Sequence, residues 1–105
     1  MVVAKNQPAN ILSGDVVAVA QDLVSADLER EAVILNLKDG VYYGLDPMGA
    51  RIWNLIQQPR SVNEIIETLL EEYEVDPQRL SNDLLGLLKE MAARGLIEVR
   101  GETAS

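Results

Sequence analysis

The sequence predicts an α+β fold in which a three-stranded antiparallel meander is followed by three helices. Three observations carry this. Apolar residues alternate or run β-branched before residue 45 and recur at helical spacing after it. Two Asp-Pro steps and one Ser-x-x-Glu box mark helix starts in the second half. A glycine-closed signal, "KDG" (38–40), joins two extended segments ahead of them.

Residues 1–14 read as a loose arm, because Pro8, Asn10 and Gly14 punctuate it and its apolar residues have no period. The first strand is assigned to "VVAVAQDLV" (16–24), which is β-branched and mostly apolar. The polar stretch "SADLERE" (25–31) is expected to be a connection. The second strand is "AVILNLK" (32–38), with Val33, Leu35 and Leu37 on one side and Ala32, Ile34 and Asn36 on the other. A three-residue Lys38-Asp39-Gly40 loop, with glycine left-handed, suits a hairpin. "VYYGL" (41–45) is the third strand. Alternation puts Val41, Tyr43 and Leu45 on the core face and points Tyr42 the other way.

Asp46-Pro47 starts the first helix: the Asp side chain caps free N–H groups, and proline fits the first turn, where its own N–H is not needed. Met48, Ile52, Leu55 and Ile56 give the inward spacing, and Pro59 ends the segment. Ser61 and Glu64 form a capping box for the second helix, whose apolar face is Val62, Ile65, Ile66, Leu69 and Tyr73. Asp76-Pro77 repeats the first device, and a longer third helix runs to Gly95, a natural C-terminal stop. "LIEV" (96–99) is a short strand or extended tail, and residues 100–105 are expected to fray. The folded domain is therefore placed at 15–99. The order resembles a winged-helix arrangement with its hairpin moved to the front.

Composition excludes several classes of function. Without Cys there is no disulfide, thiolate nucleophile or sulfur ligand, and without His the usual general base and nitrogen ligand are gone. No cofactor and no metal site is expected. The net charge is −8 and the nine basic residues are scattered, which argues against binding nucleic acid or an anionic membrane. No signal-peptide pattern or membrane-length apolar run is present, so a cytoplasmic protein is expected. No nucleophile–base pair, phosphate-cradling loop or paired carboxylate arrangement stands out, so the chain is not expected to be an enzyme.

Four features carry functional readings instead. On the third helix Leu80, Leu84, Leu87 and Met91 form one stripe, with Leu88 at its edge and Leu85 and Ala92 on a shoulder. This wide arc means either a helix buried on two sides or a shoulder lining a groove for a ligand or peptide. The third strand ends the meander, yet it has neither the charge nor the proline that normally blunts an edge. Gly44 lets another backbone approach it. Either the following helix hides this strand, or it is kept open for a partner strand. Glu64, Glu67 and Glu71 line one side of the second helix, either as a solvated face or as a docking surface for a basic partner. Finally, Trp53 is expected as a core anchor whose N–H finds a partner, and Arg51 as the partner of a nearby carboxylate.

Taken together, "AVILNLKDGVYYGLDPMGARIWNLI" and "SVNEIIETLLEEYEVDPQRLSNDLLGLLKEMAARGLIEV" resemble the PqqD-like family. These are recognition elements for the leaders of ribosomally synthesised, post-translationally modified peptides. The combined order is what carries the resemblance: a Tyr-rich strand, Leu-Asp where the family has Leu-Asn, Gly-Ala before an apolar helix, and a final "GLIEV". "YYGLDPMGARIW" is most similar to the stand-alone leader-binding proteins of lasso-peptide clusters. The resemblance implies a non-catalytic peptide chaperone that takes the leader as an added antiparallel strand on strand three, against helix three. Carried onto this chain, it places the peptide between Val41, Tyr42, Tyr43 and Gly44 on one side and Leu84, Leu85, Leu88 and Met91 on the other. The implied partners are the precursor leader and a leader protease of the cysteine class, or another modifying enzyme. The alternatives are a peptide chaperone of pyrroloquinoline quinone biosynthesis and, in a different class, a winged-helix nucleic-acid-binding domain.

Overall fold

The computed structural model describes residues 11–101. Chain order is β1 (Val16–Val19), β2 (Leu23–Leu28), β3 (Glu31–Asn36), β4 (Tyr42–Leu45), α1 (Pro47–Leu55), β5 (Arg60–Ser61), α2 (Val62–Glu72), α3 (Pro77–Ala93) and β6 (Ile97–Arg100). Two three-stranded antiparallel sheets form, ordered β2-β3-β4 and β5-β1-β6. The meander and the three helices expected from sequence are present, but the first strand is redrawn. Val16–Val19 leaves the meander to pair with β6, and the chain turns through Asp22 at φ 64 before β2 begins. The stretch 25–31, expected as a connection, supplies most of β2, the Glu29-Arg30 turn and the first residue of β3.

The physical reason is position. β2 is the outer edge of its sheet and is exposed along nearly its whole length, so no buried face imposes an apolar period on it. Asp tolerates the left-handed conformation better than most residues, and it breaks what reads as one continuous apolar run. Packing also begins earlier than residue 15, because Ile11 lies in the core. At the other end Arg100 still pairs with Val16. The remainder of the expected arm and tail, 1–10 and 102–105, falls outside the described residues.

All three helix starts follow the sequence. Asp46 Oδ1 accepts the Gly49 N–H at 2.8 Å, and Asp76 Oδ2 accepts the Arg79 N–H at 3.2 Å. Ser61 and Glu64 close a reciprocal capping box, with N–H bonds of 2.9 and 3.1 Å. At the far end of α3 the Leu96 N–H donates to Met91 C=O and the Gly95 N–H to Ala92 C=O. Gly95 sits at φ 75. This is a Schellman stop, and it turns Leu96 into the core.

One core joins the elements. α1 packs on the inner face of β3 and β4, where Ala32 and Ile34 are buried. Ile52, Trp53 and Ile56 of α1 and its cap meet Val62, Ile65 and Leu69 of α2 and Leu84 and Leu88 of α3 in this cluster. Trp53 is the expected anchor, but its Nε1 has no hydrogen-bond partner among the described residues. Arg51 pairs with Glu72 through two guanidinium bonds, one of them 2.8 Å from Nε to Oε1, which clips α1 to the end of α2.

Two consequences are measurable. Glu29 turns the β2–β3 hairpin at φ 47, where a non-glycine side chain is strained. Glu29→Gly should therefore stabilise the fold by about 1 kcal/mol, and Gly95→Ala should destabilise it by about as much; both read as shifts in the urea midpoint. The carboxyls of Glu72 and Glu64 lie below the ordinary glutamate range, held there by the Arg51 hydrogen bond and by the Ser61 backbone N–H respectively. Depressed folded values mean that their contribution is present at neutral pH and fades as pH falls below about 4.3. A Glu64→Gln/Glu72→Gln variant should lose less stability than wild type between neutral and acid pH.

Candidate functional site

Among the described residues β4 is hydrogen-bonded on one side only. Its partners on β3 are Ala32 for Leu45, Val33 for Gly44, Ile34 for Tyr43 and Leu35 for Tyr42. The Asn36 N–H donates to Val41 C=O at 2.9 Å. Antiparallel bonds alternate along a ladder, so residues 41, 43 and 45 turn their backbone groups toward β3. The N–H and C=O of Tyr42 and of Gly44 therefore point outward. No described strand meets them. Tyr43 and Leu45 are half-buried toward the core and Tyr42 stands in solvent, as expected, but Val41, expected on the core face, precedes β4 and is 43% exposed.

α3 runs beside this edge. Between them lies a groove of about 340 Å³, lined by residues 42–45 of the strand, by Leu87, Glu90, Met91 and Arg94 of the helix, and by Leu96. Arg94 bonds Glu90 at 3.3 Å and lays its guanidinium 5.7 Å from the centre of the Tyr43 ring. At Leu87 the groove meets a larger cleft of about 680 Å³. Its apolar floor is Met48, Ile52, Leu80, Leu84 and Leu87, and its walls carry Asp46, Glu74, Asp76 and Asp83 with Arg79. From Arg79 to Arg94 the helix spans about 22 Å. An extended chain rises about 3.3 Å per residue, so the trough accommodates roughly seven residues.

The expected site residues divide. Tyr42, Tyr43 and Gly44 stand together at the edge while Val41, just before β4, does not line the groove, and Leu84 and Met91 reach the trough from beneath, both almost wholly buried. Leu85 and Leu88 do not line the trough. Leu88 is 0% exposed and sits at the centre of the seam rather than at its edge. Leu85 lies about 160° round the helix from Leu87, on the flank turned away from the trough. Leu87, Glu90 and Arg94 hold the trough side instead. The helical phase was the missing information: the seam is centred on Leu84 and Leu88, which moves Leu87 from the core stripe to the open shoulder. Glu64, Glu67 and Glu71 are exposed on α2, as expected of a solvated or docking face. The Glu64 carboxylate is already engaged in capping.

The arrangement offers backbone hydrogen-bonding groups, an apolar floor and a charged rim. Among the described residues no cluster could hold a metal ion, and no helix is long and apolar enough to cross a membrane.

The family model for coenzyme PQQ synthesis protein D (PqqD) matches residues 31–97. Among solved structures, TbiB1 in complex with the TbiA(beta) leader peptide is similar at 36% sequence identity and a TM-score of 0.74, over 77% of this chain and 94% of that one. Among curated proteins none matches the chain.

Proposed function

The chain belongs to the PqqD family, and from that premise we propose that it binds the leader segment of a precursor peptide as a fourth strand on β4 and delivers the peptide to a processing enzyme. The one-sided pairing of β4 beside an apolar trough carries this reading. The likeness to TbiB1, solved with a leader peptide, supports it. A strand added at Tyr42 and Gly44 exchanges main-chain bonds that require no particular side chain, and the trough then selects among alternate side chains. If the strand runs antiparallel to β4, its upstream residues lie over the larger cleft and its downstream end leaves past Tyr42. Ordering a disordered leader is costly. A few apolar side chains seated on Met48, Leu80 and Leu87, at about 1.5–3 kcal/mol each, offset that cost. The chain then works by effective concentration, not by chemistry.

In the fuller form of this reading the product is a lasso peptide and the receiving enzyme is a separate leader protease of the cysteine class. A second reading, favoured by the family model matched, gives the chain the corresponding role in pyrroloquinoline quinone biosynthesis, with a radical enzyme as recipient. The acidic trough walls leave no basic face for nucleic acid there.

Titration of the full chain with a fluorescent leader peptide from the neighbouring precursor gene tests the site. Gly44→Pro removes an outward N–H and leaves the β3–β4 bonds in place, because proline is tolerated on an edge strand. It should weaken binding about tenfold or more while the far-ultraviolet spectrum is unchanged. Leu87→Arg should do the same and Leu85→Arg should not. Absence of wild-type binding, or equal losses for Leu85→Arg and Leu87→Arg, would refute the proposed site.

A further inference from the structure

The trough is uneven in charge from end to end. At the Tyr42 end the ionised side chains that line it are Glu90 and Arg94, which pair with each other at 3.3 Å. At the other end the larger cleft is rimmed by Asp46, Glu74, Asp76 and Asp83, with Arg79 as the one cation in its lining. These carboxylates are not equivalent. Asp46 and Asp76 each use one oxygen in a cap and face a helix N-terminus, whose partial positive charge offsets part of their own. Asp83 stands 3.9 Å from the Arg79 Nε with both side chains largely exposed, an ion pair of small worth. Glu74 enters no ion pair among the described residues.

Two properties of the larger cleft narrow what can sit there. The first is its section, a floor of Met48, Leu80 and Leu87 below a rim of carboxylates. An apolar side chain would use the floor and strip water from the rim, and an acidic one would meet its own charge. Lys and Arg match both levels, because their alkyl stems cover apolar surface while the charged head stays at the wet edge. The second is reach. At physiological salt charges are screened beyond about 8 Å, whereas the helix spans about 22 Å from Arg79 to Arg94. The rim therefore acts on residues over the cleft and leaves those beside Tyr42 untouched. Main-chain bonds at a strand edge form with a parallel or an antiparallel partner. A charge confined to one end makes the two directions unequal.

We infer that the acidic rim selects a leader with Lys or Arg in its upstream part, and that Glu74 and Asp83 are the residues that read it. The inference rests on the strand-addition reading above and deepens it. A basic residue seated over the cleft requires the strand to run antiparallel to β4. That fixes which end of the peptide leaves past Tyr42, and so which end is offered for processing. The backbone of β4 holds any strand; the rim decides which way round it lies.

Glu74 and Asp83 are exposed and cap no helix, so Glu74→Lys/Asp83→Lys reverses the rim without loosening the fold. Glu67→Lys/Glu71→Lys makes the same change of net charge on α2, away from the trough. Each full-length variant is titrated by anisotropy with the fluorescent leader of the neighbouring precursor gene. A second peptide has Glu in place of every Lys and Arg in the N-terminal half of that leader. At about 0.05 M salt the rim variant should bind the native leader about tenfold more weakly, and the α2 variant within about twofold of wild type. The Glu peptide should bind wild type weakly and regain affinity on the rim variant, a recovery that a misfolded protein would not give. The native leader should carry Lys or Arg in its N-terminal half. A leader with neither there, equal losses in the two variants, or wild-type binding indifferent to the Glu replacement overturns the inference and leaves strand addition standing. Wild type that binds neither peptide overturns both.

Discussion

The constraint on which the rest depends is that, among the described residues, β4 is paired on only one side. Its inward bonds to β3 are made by residues 41, 43 and 45, which leaves the backbone of Tyr42 and Gly44 without a strand partner among the described residues. Exposed backbone groups of this kind usually invite aggregation, and proteins usually blunt them. Here the edge is short, and α3 stands alongside it, so a chain that reaches the edge must also fit the trough. Selectivity follows from that geometry. Any backbone can offer the bonds, but only a segment with suitable side chains can settle against Leu87, Leu80 and Met48.

The supporting structure holds the edge still. The Asp46 cap begins α1 directly after Leu45, so the strand cannot lengthen or slip. α1 then packs under β3 and β4, and the Arg51–Glu72 pair ties it to α2. At the other wall the stop at Gly95 brings Leu96 back under the groove, and Arg94 over Tyr43 joins helix to strand. Each tie is modest in energy, being an exposed ion pair, a cap or a cation–π contact. Their joint effect is to fix the width of the trough.

The two faces of the meander differ in burial. The inner face carries Ala32 and Ile34 into the core. The outer face exposes Val24 and Tyr42 beside the open edge of β4.

Much of this was legible in the residues. The three helices, their caps and the glycine stop were written locally, because capping depends on side chains within three or four positions of the backbone they satisfy. So were the hairpin at "KDG" and the exposure of Tyr42. The family resemblance also rested on local order and spacing. What the sequence could not express were facts about neighbours. Whether residues 16–24 form one strand or two depends on β6 arriving from the other end of the chain to claim Val16–Val19. Polar β2 is a strand only because β3 offers it an edge. Leu87 and Leu88 are adjacent and chemically identical, and only the packing of α3 against α1 and α2 decides which is buried and which faces the trough. Local hydrogen bonds are encoded where they are made, whereas burial is decided by whichever surface comes to lie opposite.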